Sequence, residues 1–461
     1  MPGADTRQGE ASALPDPGGM MSAMPASPNT DYVAATPRSR AWFERAQRVL
    51  PAGVSYGIRD VAPYPFYVDR AEGSRLWDVD GRAYTDYWCG HGALILGHAP
   101  AAVIEAACRQ AARGSHFGFA HPLEVELAEM VVRLVPCAEM VRYTNSGTEA
   151  NMYALALARA FTGRTRVAKM EGGWHGGLES LNTAVHAPFG TPEALGLNPH
   201  ATADTVALPF NDLGAARTAL ERGDLAALFV EPMMGAAGCI AADPEYLAGL
   251  RALCSSHGTL LVFDEVVTGF RVAPGGAQQH YGVTPDIATL GKILGGGFPI
   301  GALCGRREVF DRLDHRRHGG RAERAFQGGT FSGNPVSLAA GLATLQRLEG
   351  GEVHAKLGRL GARLRGGLAE AFAGHGVPVG VTGLGSIVGL HFRDGAPRNA
   401  AEAAEDDQAL GRRFFDHLRG RGIVYLPPAS PHTYISAAHT DEDVEAFLSA
   451  ARDFAAAVGG R

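Results

Sequence analysis

Residues 285–301, P-D-I-A-T-L-G-K-I-L-G-G-G-F-P-I-G, join a short apolar run to one lysine and a group of glycines. Lys292 at the centre is one of only three lysines, with Lys169 and Lys356, although lysine and arginine together number 42. Unlike the guanidinium of arginine, the amine of lysine can lose its proton and attack a carbonyl. A lysine in a chain whose basic residues are almost all arginines is therefore a candidate nucleophile. Apolar, glycine-rich surroundings disfavour the charged form of the amine. The alternative is a solvated surface lysine, which is how we interpret Lys356.

The apolar run within this stretch, Ile287–Leu290, is one of five segments of strand length. The other four are residues 141–144, 167–170, 225–230 and 260–263. Helical segments separate several of them, for instance residues 149–161, which carry apolar side chains on one face. Near-continuous apolar strands that alternate with helices predict an α/β fold, with a mostly parallel sheet covered on both sides.

A chain of 461 residues is long enough for more than one domain. Residues 1–36 are rich in Pro, Ala, Gly and Ser, and we predict that they are disordered. Residues 37–99 combine a helix at 39–50 with a hairpin at 66–88 that turns at Asp80-Gly81. Residues 100–348 form the predicted large domain. Residues 349–461, with helices at 357–372, 407–419 and 441–456 and strands at 387–392 and 422–426, form a smaller α+β domain completed by the hairpin region.

Composition excludes several classes of partner. The formal net charge of -6, without a sustained basic patch, gives no reason to expect nucleic acid. Six scattered cysteines without a C-x-x-C pair argue against a disulfide framework or a zinc site and favour a reducing compartment. The most apolar stretch, residues 225–242, is broken by Glu231 and Pro232, so it cannot span a bilayer. Residues 1–36 also lack the apolar run of a secretory signal. We expect a cytoplasmic protein.

Polar clusters follow the strand-like runs, and in an open parallel sheet such clusters converge at the carboxyl edge. Ser146, Gly147 and Thr148, in N-S-G-T-E-A, follow the first run and open a helix. Hydroxyls and free N–H groups at a helix N-terminus form a phosphate cradle. An ordinary N-cap at Ser146 or Thr148 is the alternative.

The clusters after the next runs supply an aromatic side chain and two acids. Trp174, flanked by glycines in G-G-W-H-G-G, can lie flat on a planar ring, although it could instead be a core residue. His175 beside it is either a site residue or a structural histidine. Asp264 and Glu231 each end a buried strand, where a carboxylate needs a cationic partner, so each is also a candidate for a structural ion pair.

A phosphate cradle, a stacking aromatic, a buried acid and an amine together match the needs of pyridoxal 5′-phosphate. The acid keeps the ring nitrogen protonated, and the lysine forms the Schiff base. Lys292 follows Asp264 by 28 residues (292 − 264), a span that suits one crossover and the next strand.

Five motifs carry a resemblance to a known family: N-S-G-T-E-A, E-G-G-W-H-G, F-D-E-V-V-T-G-F-R, P-D-I-A-T-L-G-K and Q-G-G-T-F-S-G-N-P. The chain resembles the class III pyridoxal-phosphate aminotransferases of fold type I, and within them the glutamate-1-semialdehyde 2,1-aminomutase branch. The resemblance runs from about residue 50 to 443. It implies a homodimer, with active sites at the subunit interface to which residues 37–99 contribute.

The resemblance also implies roles for individual residues. Lys292 is the Schiff-base lysine, and Asp264 is the partner of the ring nitrogen. The remaining implied roles are Val266 and Trp174 on the two ring faces, Ser146, Gly147 and Thr148 on the phosphate, Thr330 reaching that phosphate from the neighbouring subunit, and Arg59 on the substrate carboxylate, which suits a guanidinium fork.

Two stretches depart from the aminomutase pattern. Where the aminomutases typically read E-P-V-A-G-N, this chain has E-P-M-M-G-A, so Ala236 replaces an asparagine. Their late P-F-E-A-G-F stretch corresponds to residues 431–435, P-H-T-Y-I, which lack the glutamate. A pocket built for a polar substrate discriminates through such groups, so the strict aminomutase reaction is disfavoured.

The leading hypothesis is therefore an aminotransferase that moves an amino group between a carboxylate-bearing amino acid and a keto or aldehyde acceptor. The alternative is the intramolecular aminomutase, and a racemase on the same scaffold is a third possibility. A non-catalytic binding protein of the same fold is disfavoured by the presence of both Lys292 and Asp264.

Overall fold

The computed structural model describes residues 30–425 and 432–459. The chain divides into two compact units, of which the first ends at Phe66 and the second begins at Tyr67. Within the described residues, all the strands belong to the second unit.

The first unit contains α1 (Thr30–Ala35), α2 (Pro37–Ala46) and short 3₁₀ turns at Pro51–Gly53 and Gly57–Arg59. The prediction that residues 1–36 are disordered is wrong for residues 30–36. Tyr32 and Thr36 are buried, and the Tyr32 hydroxyl donates to the Tyr64 carbonyl at 3.0 Å. The Thr36 hydroxyl in turn donates to the Tyr32 carbonyl at 2.6 Å. Contact with Tyr64 therefore orders a segment whose composition alone predicts disorder.

The predicted helix at residues 39–50 begins at Pro37 and ends at Ala46, four residues early. The chain then turns, and the Leu50 N–H donates to the Ala46 carbonyl at 2.7 Å. Pro37 at the helix start is compatible with the first turn, where its missing N–H has no intrahelical partner.

The second unit is built from strands and helices that alternate along much of its length. In chain order, the strands are β1 (Val68–Glu72), β2 (Arg75–Asp78), β3 (Ala83–Asp86), β4 (Met140–Thr144), β5 (Arg166–Met170), β6 (Thr205–Leu208), β7 (Leu225–Val230), β8 (Met233–Met234), β9 (Ile240–Ala241), β10 (Leu260–Asp264), β11 (Ile287–Leu290), β12 (Gly301–Gly305), β13 (Gly380–Thr382), β14 (Ile387–His391), β15 (Ile423–Val424) and β16 (Thr433–Tyr434). The helices are α3 (Cys89–Gly92), α4 (Ala101–Arg113), α5 (Pro122–Leu134), α6 (Gly147–Thr162), α7 (Pro199–Thr202), α8 (Leu213–Leu220), α9 (Pro244–His257), α10 (Gly276–Tyr281), α11 (Arg307–Phe310), α12 (Pro335–Leu348), α13 (Glu352–Ala373), α14 (Ala400–Ala403), α15 (Gln408–Gly420) and α16 (Asp441–Gly459).

A seven-stranded sheet in the order β4-β12-β11-β10-β7-β5-β6 forms the core of the second unit. β12 is antiparallel to both its neighbours, and the other strands run parallel. β7 and β10 are buried along their whole length, as the continuous apolar runs predict. The predicted α/β fold with a mostly parallel sheet is confirmed.

The described residues also form three smaller sheets. The predicted hairpin is the β2–β3 pair, which β1 extends on one side, and Gly81 in its turn has φ +88°. β3 pairs in parallel with β15 through Thr85 and Ile423, which joins the hairpin region to the C-terminal segment. The other small sheets are β13-β14-β16 and β8-β9. The division into four segments stays a prediction, and Leu426, at the end of one predicted strand, lies outside the described residues.

Predicted helices at residues 149–161, 357–372, 407–419 and 441–456 correspond to α6, α13, α15 and α16 within a few residues. Within the described residues, no helix is long and apolar enough to cross a membrane.

Candidate active site

Asp264 lies at the C-terminal end of β10, in the middle of the parallel sheet, and is buried. Its Oδ2 accepts hydrogen bonds from Asn151 Nδ2 and from the His175 ring, both at 2.8 Å. Among the described residues its Oδ1 accepts only the Val266 N–H, at 3.1 Å, and so retains capacity for a further donor. Although burial opposes it, these contacts hold the pKa of Asp264 below its usual value, so the carboxyl is ionised.

His175 is fixed as a neutral ring beside that carboxylate. Burial lowers the pKa of His175 despite the opposing effect of Asp264. A neutral ring that bonds Asp264 through Nδ1 carries its proton there, so Nδ1–H donates. In the described part of the chain the buried Nε2 has no hydrogen-bond partner.

Glu231 follows β7 directly and is also buried. Its two carboxylate oxygens accept the backbone N–H groups of Trp174, at 2.8 Å, and Gly235, at 2.9 Å. Burial raises the pKa of Glu231 to about 7, and the negative charge of Asp264 adds to that rise. Glu231 thus joins the loop after β5 to the loop after β7.

Lys292 stands where β11 ends, and its backbone has φ +45°, which is costly for a residue with a side chain. Burial lowers the pKa of its amine, and Asp264 and Glu231 oppose that effect. Among the described residues, its Nζ has neither a hydrogen-bond partner nor a salt-bridge partner. The charges of two carboxylates therefore act on the amine, although in the described residues it is bonded to neither.

The other two lysines are held by backbone carbonyls. Lys169 is fully buried and donates to the carbonyls of Gly173 at 2.7 Å, Leu181 at 3.0 Å and Thr183 at 2.7 Å. Lys356 in α13 donates to the Ala437 carbonyl at 2.6 Å and is partly buried rather than freely solvated.

The N-terminus of α6 lies at the same edge of the sheet. Ser146 is the N-cap, and its hydroxyl accepts the Glu149 N–H at 3.2 Å. The N–H groups of Gly147 and Thr148 are in the first turn and have no intrahelical partner. A Cβ on Gly147 would lie 2.7 Å from Val266 Cγ2, and one on Gly291 would lie 3.3 Å from Val266 Cγ1. Val266 therefore packs between the start of α6 and the residue before Lys292.

Two predicted site residues, Trp174 and Thr330, make no side-chain hydrogen bond to this cluster within the described residues, and a third, Arg59, lies in the other unit. Trp174 is 41% exposed, and its backbone N–H, not its ring, makes the contact with Glu231. Thr330 is exposed, while its neighbour Gly329 lies against Asn145. Arg59 belongs to the first unit, is exposed, and donates to Ser55 Oγ at 3.1 Å. Their roles stay predictions.

The structure adds Asn151 and Thr289, which the sequence analysis missed. Asn151 donates to Asp264, and its Oδ1 accepts the Thr289 hydroxyl at 2.8 Å. The signal available in the sequence was a polar residue within the alanine-rich buried face of α6. Together with His175, this pair fixes the orientation of the Asp264 carboxylate.

The seven-stranded, mostly parallel sheet and the polar residues at its carboxyl edge have the arrangement of a fold-type-I, pyridoxal-phosphate-dependent transferase. The family description "Aminotransferase class-III" matches residues 56–450, so the chain belongs to the class III aminotransferase family. Members of this family use pyridoxal 5′-phosphate, which confirms the predicted cofactor and the prediction of an enzyme.

The proteins to which the chain is similar include both aminomutases and aminotransferases. The chain is 43% identical over 419 residues, 90% of its length and 98% of the relative, to glutamate-1-semialdehyde 2,1-aminomutase of Methanothermobacter thermautotrophicus. It is similar in structure to an omega-transaminase from Sphaerobacter thermophilus, with a TM-score of 0.84, 36% identity and coverage of 92% of this chain and 98% of that one. A beta-phenylalanine aminotransferase from Variovorax paradoxus gives a TM-score of 0.86 and 34% identity, with coverage of 94% and 96%.

The residues present fit the cofactor. Free N–H groups at the start of α6 suit a phosphate, and Gly147 leaves space that a Cβ would fill against Val266. The open acceptor position on Asp264 suits a protonated ring nitrogen, and the Lys292 amine has no competing partner among the described residues.

Proposed function

We propose that the chain is an aminotransferase that moves an amino group between a carboxylate-bearing amino acid and a keto or aldehyde acceptor through Lys292. The observation that carries this proposal is the state of the three lysines. Lys169 and Lys356 donate hydrogen bonds to backbone carbonyls, whereas the Lys292 amine makes no hydrogen bond among the described residues and is acted on by the charges of two carboxylates.

When bound, pyridoxal phosphate supplies a carbonyl that receives the amino group and a ring that stabilises negative charge on the adjoining carbon. Asp264 is ionised and would keep a proton on the ring nitrogen. His175 and Asn151 orient Asp264, and the N–H groups of Gly147 and Thr148 would hold the phosphate. Because burial lowers the pKa of Lys292, its nitrogen can take a proton from the substrate carbon and return it as acid and base.

Arg59 is proposed to bind the substrate carboxylate. Its guanidinium is exposed, and within the described residues it shares a hydrogen bond only with the neutral Ser55 hydroxyl. A planar guanidinium with free N–H donors binds a carboxylate in bidentate fashion. The residue thus has the chemistry that its predicted role requires.

The second candidate is the intramolecular aminomutase, and the names of the curated relatives favour it over the aminotransferase. We nevertheless prefer the aminotransferase, because Ala236 replaces an asparagine of the aminomutases. It is an apolar residue next to Gly235, in the loop that Glu231 binds. The omega-transaminase and beta-phenylalanine aminotransferase structures also support intermolecular transfer.

Amino-acceptor dependence separates the two candidates. The purified holoenzyme is given one amino donor at a time, and the absorbance of its cofactor is followed with and without a keto acid. An aminotransferase converts one cofactor equivalent and then stops until the keto acid is added. Sustained turnover of glutamate-1-semialdehyde without any acceptor would establish the aminomutase instead.

We further propose a homodimer that acts in the cytoplasm. Phe119, Phe326 and Phe331 are 83%, 78% and 58% exposed, and such apolar exposure is typical of a surface that another chain covers. All six cysteines are free thiols, which supports a reducing compartment. Sedimentation at micromolar concentration tests the dimer, and a monomer would contradict it.

A further inference from the structure

The loop between β10 and α10 carries a buried arginine that has no part in the proposed mechanism. Arg271 is 1% exposed, and burial lowers the pKa of its guanidinium. Burying a cation is unfavourable unless a carboxylate compensates its charge. In the described part of the chain, no carboxylate lies within salt-bridge distance of Arg271.

The contacts of Arg271 within the described residues are with neutral groups. Its Nη1 donates to the Ser386 hydroxyl at 3.2 Å, and its Nη2 donates to the Gly92 carbonyl. The guanidinium carbon stands 4.9 Å from the centroid of the Tyr434 ring. The buried Nε has no hydrogen-bond partner in the same part of the chain. The positive charge is therefore held in place but not neutralised.

Gly92 closes α3, a turn with unusual backbone geometry. Cys89, Gly90, His91 and Gly92 have φ of +52°, +59°, +59° and +77°, so the turn is left-handed. Left-handed helical geometry is unfavourable for each residue that has a side chain. A Cβ on Gly92 would lie 2.9 Å from the Tyr434 ring, so the ring packs directly on the turn. Arg271 and Tyr434 together stabilise this strained segment.

The backbone that carries Arg271 is anchored next to Asp264. Glu265, the residue after Asp264, accepts hydrogen bonds from the Thr268 hydroxyl at 2.9 Å and from the Ala277 N–H at 2.6 Å. These bonds close the loop that contains Arg271. Its backbone is thereby fixed relative to Asp264.

The charge of Arg271 acts on several groups. Burial is the main cause of the lowered pKa of Lys292, Asp264 and Glu231 oppose it, and the charge of Arg271 adds to the lowering. Burial likewise lowers the pKa of His354, with a further contribution from Arg271. The same charge opposes, by a smaller effect than that of burial, the rise in the pKa of Cys89 and Tyr434.

We propose that Arg271 is a positioning residue of the active site. It fixes the Cys89–Gly92 turn, which contacts the Lys292–Gly295 segment, against the loop that follows Asp264, and it places an uncompensated positive charge near this part of the site. This inference rests on the proposed role of Lys292 in binding the cofactor.

The test is a pH titration of the absorbance of the bound cofactor in the holoenzyme. Arg271→Gln keeps hydrogen-bond donors but removes the charge, and we expect the midpoint to rise by about one pH unit. Arg271→Lys keeps the charge, and we expect its midpoint to stay within about 0.3 units of the unaltered protein. Ser386→Ala removes only one acceptor and should leave the midpoint where it was.

Arg419→Gln is the matched control. Arg419 is equally buried and lies over an aromatic ring, Phe415, at 5.5 Å, but it is paired with Asp416 at 2.9 Å. The Arg419→Gln substitution should lower the melting temperature without changing the midpoint of the pH titration. The proposal is overturned if Arg271→Gln lowers the melting temperature and leaves the midpoint unchanged. It is equally overturned if Ser386→Ala, which keeps the charge and is expected to fold, raises the midpoint.

Failure of the proposed cofactor-binding role of Lys292 gives a different result. In that case the unaltered protein shows no cofactor absorbance that titrates and no adduct on Lys292 after reduction. A titrating cofactor in the unaltered protein, with no shift in the Arg271 variants, refutes only the role of Arg271.

Discussion

At the scale of single residues, the site depends on which polar atoms are satisfied and which are left available. Asp264 receives two donors on one oxygen and one on the other, so it stays ionised and keeps an open position. Lys292 has a positive φ and, among the described residues, an unengaged amine, a combination of strain and availability that is typical of functional residues. Neither property is visible in the identity of a residue alone.

Lys292→Ala should abolish amino transfer while leaving the fold intact, because the amine makes no hydrogen bond to the described part of the chain. We expect the rate to fall by a factor of about 1,000 or more, since proton transfer by a positioned group contributes up to about 10⁴-fold. Steady-state kinetics and circular dichroism measure the two effects. Lys356→Ala is the control and should keep near-normal activity. A Lys292→Ala variant with a near-normal rate would refute the assignment.

Glu231 makes the stability of the cofactor-free protein depend on pH. Its pKa is raised from 4.5 to about 7 in the folded state, so between these values the folded protein binds more protons than the unfolded one. The free energy of unfolding should therefore fall as pH rises from about 4.5 to 7. Glu231→Gln should make this slope shallower, as measured by urea unfolding at several pH values. An unchanged slope would show that the pKa of Glu231 is not raised.

At the scale of elements, the loops after the parallel strands are held by single buried side chains. Glu231 joins the loop after β5 to that after β7, and Glu265 closes the loop after β10. Lys169 in β5 binds three carbonyls of the segment that contains Trp174 and His175. The positions of these loops relative to the sheet are thus fixed by the hydrogen bonds of a few buried polar side chains.

Lys169→Met should destabilise the protein by about 3 kcal/mol or more, because three buried carbonyls lose their donor at about 1–3 kcal/mol each. The effect should include faster amide exchange in residues 171–184. Lys356→Met, which removes a donor from a single carbonyl, should cost less than half as much. Thermal unfolding and hydrogen exchange report both quantities. Equal losses in the two variants would contradict the anchoring role of Lys169.

At the scale of the whole molecule, the sequence predicted what depends on local pattern. β7 and β11 were predicted with the observed ends because each is a continuous apolar run between polar residues. α1 was missed because it is stabilised by Tyr64, which is 32 residues from Tyr32. The contacts of Asn151 and Arg271 were missed for the same reason, since their partners come from distant parts of the chain.

Arg59→Ala should raise KM for carboxylate substrates about 10- to 100-fold, since a hydrogen bond to a charged group contributes about 1.5–3 kcal/mol. KM for simple amines should change little. Arg48→Ala, an exposed arginine in the same unit, is the control. Equal effects of Arg59→Ala on both substrate types would remove Arg59 from the substrate site.

Reduction of the holoenzyme with borohydride, followed by peptide mass analysis, tests the central claim most directly. Hydride fixes the cofactor permanently to the nitrogen that holds it. The account predicts one adduct per chain, on the peptide that contains Lys292. An adduct on Lys169 or Lys356, or no adduct at all, would contradict it.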